Sequence, residues 1–177
     1  MGSDKSLIDY NGKPQREYLF EILQTVCKDV FVSCRPDADV PVWMKPLHDR
    51  FEIRSPLNGI LSAFELNSDR AWLTVPVDLP NISRDVLMKM VSHRDSTKLA
   101  TCLFDPSAGS VEPLLAIWEP SSKPLLAANA AKGNISPRSF LLNHDVNIMY
   151  GMDQSVFLNV NDPASREAFA LNKTQKL

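Results

Sequence analysis

The hydrophobic and polar positions of this chain alternate between helical and strand periods. From Gln15 to Lys28 the apolar residues Tyr18, Leu19, Ile22, Leu23 and Val26 recur at helical spacing, which predicts an amphipathic helix. Asp29 to Cys34 is a short β-rich run stopped by Arg35-Pro36. Residues 36 to 50 read as irregular. Ser55-Pro56-Leu57-Asn58-Gly59 opens a second helix over Ile60 to Leu66, and Ala71 to Val77 is a buried strand that ends on Asp78-Leu79-Pro80. Ser83 is the N-cap of a helix over Arg84 to Ser92. Lys98 to Phe104 and Leu114 to Trp118 are strand partners across a turn at Asp105 to Gly109. Helices follow over Lys123 to Lys132, with Gly133 as the stop, and over Pro137 to Asn143. Val146 to Met149 and Val156 to Val160 read as strands, and Asp162-Pro163 opens a last helix reaching about Leu171.

This alternation predicts an α/β fold, a mostly parallel sheet with helices on both faces. The 177 residues suit a single domain. A doubly wound domain opens on a strand near the middle of its sheet. This chain opens on a loop and a helix, so two neighbouring strands should expose unpaired edges. The expectation is a domain of residues 1–177 that lacks its native N-terminal strand and loop.

Composition narrows the function classes. The net charge of −2 and the absence of a basic face argue against non-specific binding to nucleic acid or membrane. No run approaches the ~18 apolar residues of a spanning helix. There is no signal-peptide core. The three cysteines, Cys27, Cys34 and Cys102, are far apart and sit in apolar segments, which reads as buried free thiols rather than disulfides or zinc. The methionines and tryptophans read as core. These features suit the cytoplasm.

Three segments could carry chemistry. In open α/β sheets ligands bind beyond the carboxyl ends of strands. Asp78 sits at such an end, where a carboxylate can hold a magnesium ion that bridges phosphates; it can also simply cap the turn that follows. Strand alternation puts Asn159 and Asn161 on one face, as amide ligands for a metal or substrate, or as part of an Asn-rich helix cap. Lys5, in a loop, could neutralise phosphate charge or be merely solvated. His48, His93 and His144 have neither metal spacing nor a G-x-S-x-G partner, and no P-loop or G-x-G-x-x-G is present.

The ordered set of segments resembles the molybdenum cofactor guanylyltransferase (MobA-type) family of nucleotidyltransferases. Met1-Gly2-Ser3-Asp4-Lys5-Ser6-Leu7 looks like the second half of that family's phosphate loop, and Asn11-Gly12-Lys13-Pro14 like its step into the first helix. Val30 to Arg35 looks like its second strand, Ser55 to Gly59 like G-P-L-x-G, Val77 to Pro80 like C-D-x-P, and Phe157 to Pro163 like F-x-N-x-N-T-P. Ser55 stands for the first glycine and Val77 for the usual cysteine. The first strand and the glycine-rich half of the loop have no counterpart.

The resemblance implies a three-layer Rossmann-like fold, Mg2+ as cofactor, and GTP and molybdopterin (or its molybdenum-bound form) as substrates, with other molybdenum cofactor biosynthesis proteins as partners. By position it implies that Lys5 contacts the phosphates and Asp78 binds magnesium and GTP. Asp49 and Ser33 would hold the nucleotide, and Asn159 and Asn161 would face the pterin phosphate or the metal. A related enzyme using CTP or another phosphorylated acceptor, and a non-catalytic binding domain, are the alternative readings.

Overall fold

The computed structural model describes residues 5–160. A four-stranded sheet forms its centre, in the order β3 (Trp72–Thr74), β5 (Ser110–Trp118), β4 (Ala100–Asp105), β6 (Asn147–Met149). β5 runs antiparallel to both of its neighbours, and β4 pairs with β6 in parallel, so β3, β4 and β6 share one direction. A second sheet pairs β1 (Val32–Cys34) with β2 (Pro46–His48), also in parallel.

Strand alternation sends successive side chains of the central sheet to opposite faces. Leu115 and Ile117 of β5 join Leu103 of β4 in one apolar cluster, with Leu19 of α1 (Gln15–Gln24) and Val86, Leu87 and Met90 of α3 (Arg84–Ser92). Ala116 and Trp118 face the other way, onto Leu57, Ile60, Leu61 and Phe64 of α2 (Leu57–Leu66). Leu126 of α4 (Lys123–Ala131) and Phe140 of α5 (Pro137–Asn143) complete that cluster. The result is three layers, helices on either side of one sheet. Trp118 is fully buried, and burial of a large apolar side chain is worth roughly 2–3 kcal/mol. A smaller cluster of Phe20, Val30 and Met44 lies beneath β1.

Local chemistry sets the element ends. Ser83 Oγ accepts from the Val86 N–H at 3.4 Å, capping α3, and Ser136 Oγ accepts from the Ser139 N–H at 3.2 Å, capping α5 ahead of Pro137. Between β4 and β5, Asp105 Oδ1 accepts from the Ser107 N–H and hydroxyl, and Gly109 takes a positive φ of 60° that a side chain would strain. Glu119, 2% exposed at the end of β5, is held by both arms of Arg94 at 2.6 and 2.7 Å.

Several expectations are corrected. The stretch 36–50 is not wholly irregular: it contains a 3-10 turn at Val42–Met44 and the strand β2, held by parallel pairing to β1. Val156 to Val160 is not a strand. Asp153 caps a 3-10 turn at Gln154–Phe157, Leu158 after it is extended, and residues 158–160 belong to no strand. Only Cys102 is fully buried; Cys27 and Cys34 are half-buried. Trp43 is 59% exposed, edge-on to Phe20, rather than in the core. The helix expected after Asp162 lies outside the described residues. Among the described residues no helix is long and apolar enough to cross a membrane.

Candidate active site

Asp78 lies just beyond β3, where the chain turns away at Pro80. Its backbone C=O accepts from the Val160 N–H at 3.3 Å, and its Oδ2 accepts from Asn159 Nδ2 at 3.0 Å. Two of the residues singled out from the sequence are therefore in direct contact. Asn159 reaches Asp78 from the segment after the 3-10 turn, not from a strand face.

The N-terminal loop closes over the same place. Tyr10 Oη donates to the Val160 C=O at 3.3 Å, and Asn11 Nδ2 donates to the Pro80 C=O at 3.3 Å. The fully buried Gln15, at the first turn of α1, donates from Nε2 to the Leu79 C=O at 3.5 Å. Lys5 stands ahead of this loop, in a 3-10 turn at Lys5–Leu7 that packs on α1. Asn161 lies outside the described residues.

Ser33 and Asp49 line an open cleft of about 1870 Å³ that also reaches Ser6, Ser55 and Val77, but whose lining does not include Asp78. Ser33 sits at the middle of β1, against Gly59 of α2. A Cβ on Gly59 would collide with Ser33 Oγ, so a glycine here lets helix and strand approach closely. Asp49 follows β2, and its N–H donates to the Cys34 C=O at 2.9 Å. Burial raises the Asp49 carboxyl above the ordinary aspartate value, against the opposing pull of Arg35. Cys34 and His48 face each other across β1 and β2 at 3.5 Å.

Two contributors escaped sequence reasoning. Buried Asn58 of α2 accepts the N–H groups of Arg50 and Phe51 at 3.2 Å each and donates back to the Phe51 and Ile53 carbonyls. It fixes the loop that follows Asp49. Glu112 on β5 is raised mainly by burial, with the fields of Asp78 and Asp105 adding to the shift. Its sequence signal was absent, because a lone glutamate in an apolar strand carries no motif.

The donor set suits a hard cation. Asp78 supplies carboxylate oxygen at a half-exposed strand end, and Asn159 orients that carboxylate through its N–H. A magnesium ion takes one or two protein oxygens and completes its shell with phosphate and water. Among the described residues no group of three or more His, Cys, Asp or Glu is placed to hold a metal ion.

A three-layer α/β sheet with a carboxylate beyond a strand end places a polar group where open α/β sheets bind their ligands. Solved structures agree on the fold. A molybdopterin-guanine dinucleotide biosynthesis protein A from Archaeoglobus fulgidus superposes with a TM-score of 0.77 at 17% identity, over 98% of this chain and 92% of that one. A 2-C-methyl-D-erythritol 4-phosphate cytidylyltransferase from Thermus thermophilus gives 0.69 at 15% identity, over 96% and 94%. The chain belongs to the MobA-like NTP transferase domain family, whose profile matches residues 1–148. It is 30% identical over 166 residues to a molybdenum cofactor biosynthesis bifunctional protein from Synechocystis, covering 92% of this chain but only 48% of that protein. A molybdenum cofactor guanylyltransferase from Shewanella putrefaciens is 23% identical over 98% of this chain and 90% of its own length.

Proposed function

We propose that this chain transfers GMP from GTP to molybdopterin or its molybdenum-bound form, releasing pyrophosphate. The observation that carries the reading is the contact between Asp78 and Asn159, which presents an oriented carboxylate at a strand end. Membership of the family and the names of the relatives support the choice of substrates.

In this reading a terminal phosphate oxygen of the pterin attacks the α-phosphorus of GTP. The bond from that phosphorus to the bridging oxygen breaks, and its electrons leave with pyrophosphate. The attacking phosphate is already ionised at neutral pH, so alignment and charge stabilisation do the catalysis. Bound Mg2+ would supply charge neutralisation between phosphate oxygens. Asp78 would hold that ion, with Asn161 as a further ligand, and Asn159 orients Asp78. Lys5 would offset charge on the triphosphate, and Asn159 and Asn161 would serve the pterin-phosphate side or the metal. Ser33 and Asp49 hold the nucleotide from the β1–β2 side. The partners are GTP, molybdopterin and other proteins of molybdenum cofactor biosynthesis, and the setting is the cytoplasm.

Pyrophosphate release with Mg2+, molybdopterin and either GTP or CTP tests this. GTP turnover should exceed CTP turnover. Asp78→Asn should lose about a hundredfold or more in kcat with its circular dichroism unchanged. Normal turnover by Asp78→Asn, or a preference for CTP, would sink the assignment.

A further inference from the structure

Ser55 joins the loop ahead of α2 to a turn 80 positions further along the chain. Its Oγ donates to the Ile135 C=O at 2.7 Å and accepts from the Leu57 N–H at 3.2 Å. A hydroxyl has one proton to give and lone pairs to receive, so one small side chain serves both contacts. Ser55 stands where the G-P-L-x-G pattern has a glycine, which offers no hydroxyl. Arg54, Ser55 and Gly59 line the cleft with Ser33 and Asp49. The loop ahead of them is firm, because the buried Asn58 side chain donates to the Phe51 and Ile53 carbonyls.

On the far side of this bond α5 begins at once. The Ser136 C=O accepts from the Phe140 N–H, and Ser136 Oγ accepts from the Ser139 N–H. Pro137 restricts φ at the first helical position, and Pro137, Phe140 and Leu141 are buried. The turn held by Ser55 therefore passes into Arg138 without a flexible joint. Arg138 Nη2 lies 4.0 Å from Glu112 Oε2, and the Leu114 N–H donates to Glu112 Oε1 at 3.1 Å. Glu112 is at the Asp78 end of the sheet. β3 and β5 are antiparallel with Thr74 opposite Ala116, so β5 runs back to Glu112 in the direction in which the chain of β3 runs on to Asp78. The field of Asp78 accordingly reaches Glu112.

The geometry points to Ser55 as a positioning residue: through the Ile135 carbonyl its hydroxyl fixes where α5 presents Arg138 at the Asp78 end of the sheet. The cleft wall and Arg138 then move as one body. The tether stands on the hydrogen bonds alone. Its consequence for turnover rests on the guanylyltransfer reading, in which the wall that holds the nucleotide sets the place of a cation near the carboxylate end. The competing account is that Ser55 serves only the start of α2, whose first N–H is that of Leu57.

The test compares Ser55→Ala, which removes both contacts, with Ser55→Thr, which keeps the hydroxyl, in the full chain. Amide exchange at Ser139 and Phe140 should quicken about fivefold in Ser55→Ala and stay within about twofold of the parent in Ser55→Thr, with Leu87 of α3 unchanged in both. Faster exchange confined to the first turn of α2 overturns the proposal. In turnover, Ser55→Ala should lower kcat/KM about fivefold, and Ser55→Thr should restore it. Combined with Arg138→Ala, Ser55→Ala should lose no more than Arg138→Ala alone, because its effect runs through that side chain. Additive losses in an active protein overturn the proposal as well. A parent that releases no pyrophosphate from GTP with molybdopterin and Mg2+ removes the guanylyltransfer reading instead, and the exchange result then decides the tether by itself.

Discussion

Asn159 donates to Asp78 Oδ2 at 3.0 Å, joining positions 81 residues apart in the sequence. The amide occupies one carboxylate oxygen and fixes the plane of the group.

Removing the amide should therefore change how the carboxylate meets a cation. Asn159→Ala should raise the Mg2+ concentration for half-maximal pyrophosphate release several-fold and lower kcat/KM about tenfold, as expected for one hydrogen bond to a charged group. Excess Mg2+ should restore part of the loss. An unchanged Mg2+ titration would show that the contact only braces the C-terminal segment.

Gly59 and Ser33 make a second testable pair. Gly59→Ala drives a methyl group into Ser33 Oγ, so urea unfolding should show a loss of about 1–3 kcal/mol. Ser33→Ala in the same chain removes the oxygen and should recover at least half of that loss. Additive losses in the double variant would place the strain elsewhere.

The carboxyl of Glu112 gives a pH dependence. Burial raises it above the ordinary glutamate value, so its charged form is disfavoured in the folded state. Such a group contributes most to stability below the unfolded carboxylate pKa, and that contribution is lost as pH rises through the folded value. Glu112→Gln keeps an oxygen for the Leu114 N–H, which now donates to Oε1 at 3.1 Å. The variant should melt higher than the parent near pH 7, with the gain vanishing below about pH 4. A gain that persists in acid would point to a cause other than ionisation.

Which elements could be read from the sequence depended on how local their causes are. The start of α3 was legible because Ser83 caps its first turn. The β4–β5 partnership was legible because one turn joins the two strands. β2 was not, because Pro46-Leu47-His48 is a strand only through its pairing with β1. Val156 to Val160 has strand composition, yet the Asp153 cap starts a 3-10 turn there. In the site, Asp78 and Asn159 stood out by their ordered motifs, and the structure joins them. Asn58 was silent, because an asparagine beside a helix start signals nothing until the loop from Arg50 to Ile53 folds onto it.

The antiparallel strand in the middle of the sheet also governs how the chain comes together during synthesis. β4 and β5 close over the short Asp105–Gly109 turn at small entropic cost, and they carry residues of both large core clusters. β3 precedes them in the sequence but, among the described residues, pairs with β5 alone. As the ribosome releases the polypeptide, Trp72, Leu73 and Thr74 emerge well before Trp118, Ile117 and Ala116, their register partners. The first half of the chain is thus held waiting for the second, and a pause in translation ahead of β5 exposes an apolar strand with nothing to pair against.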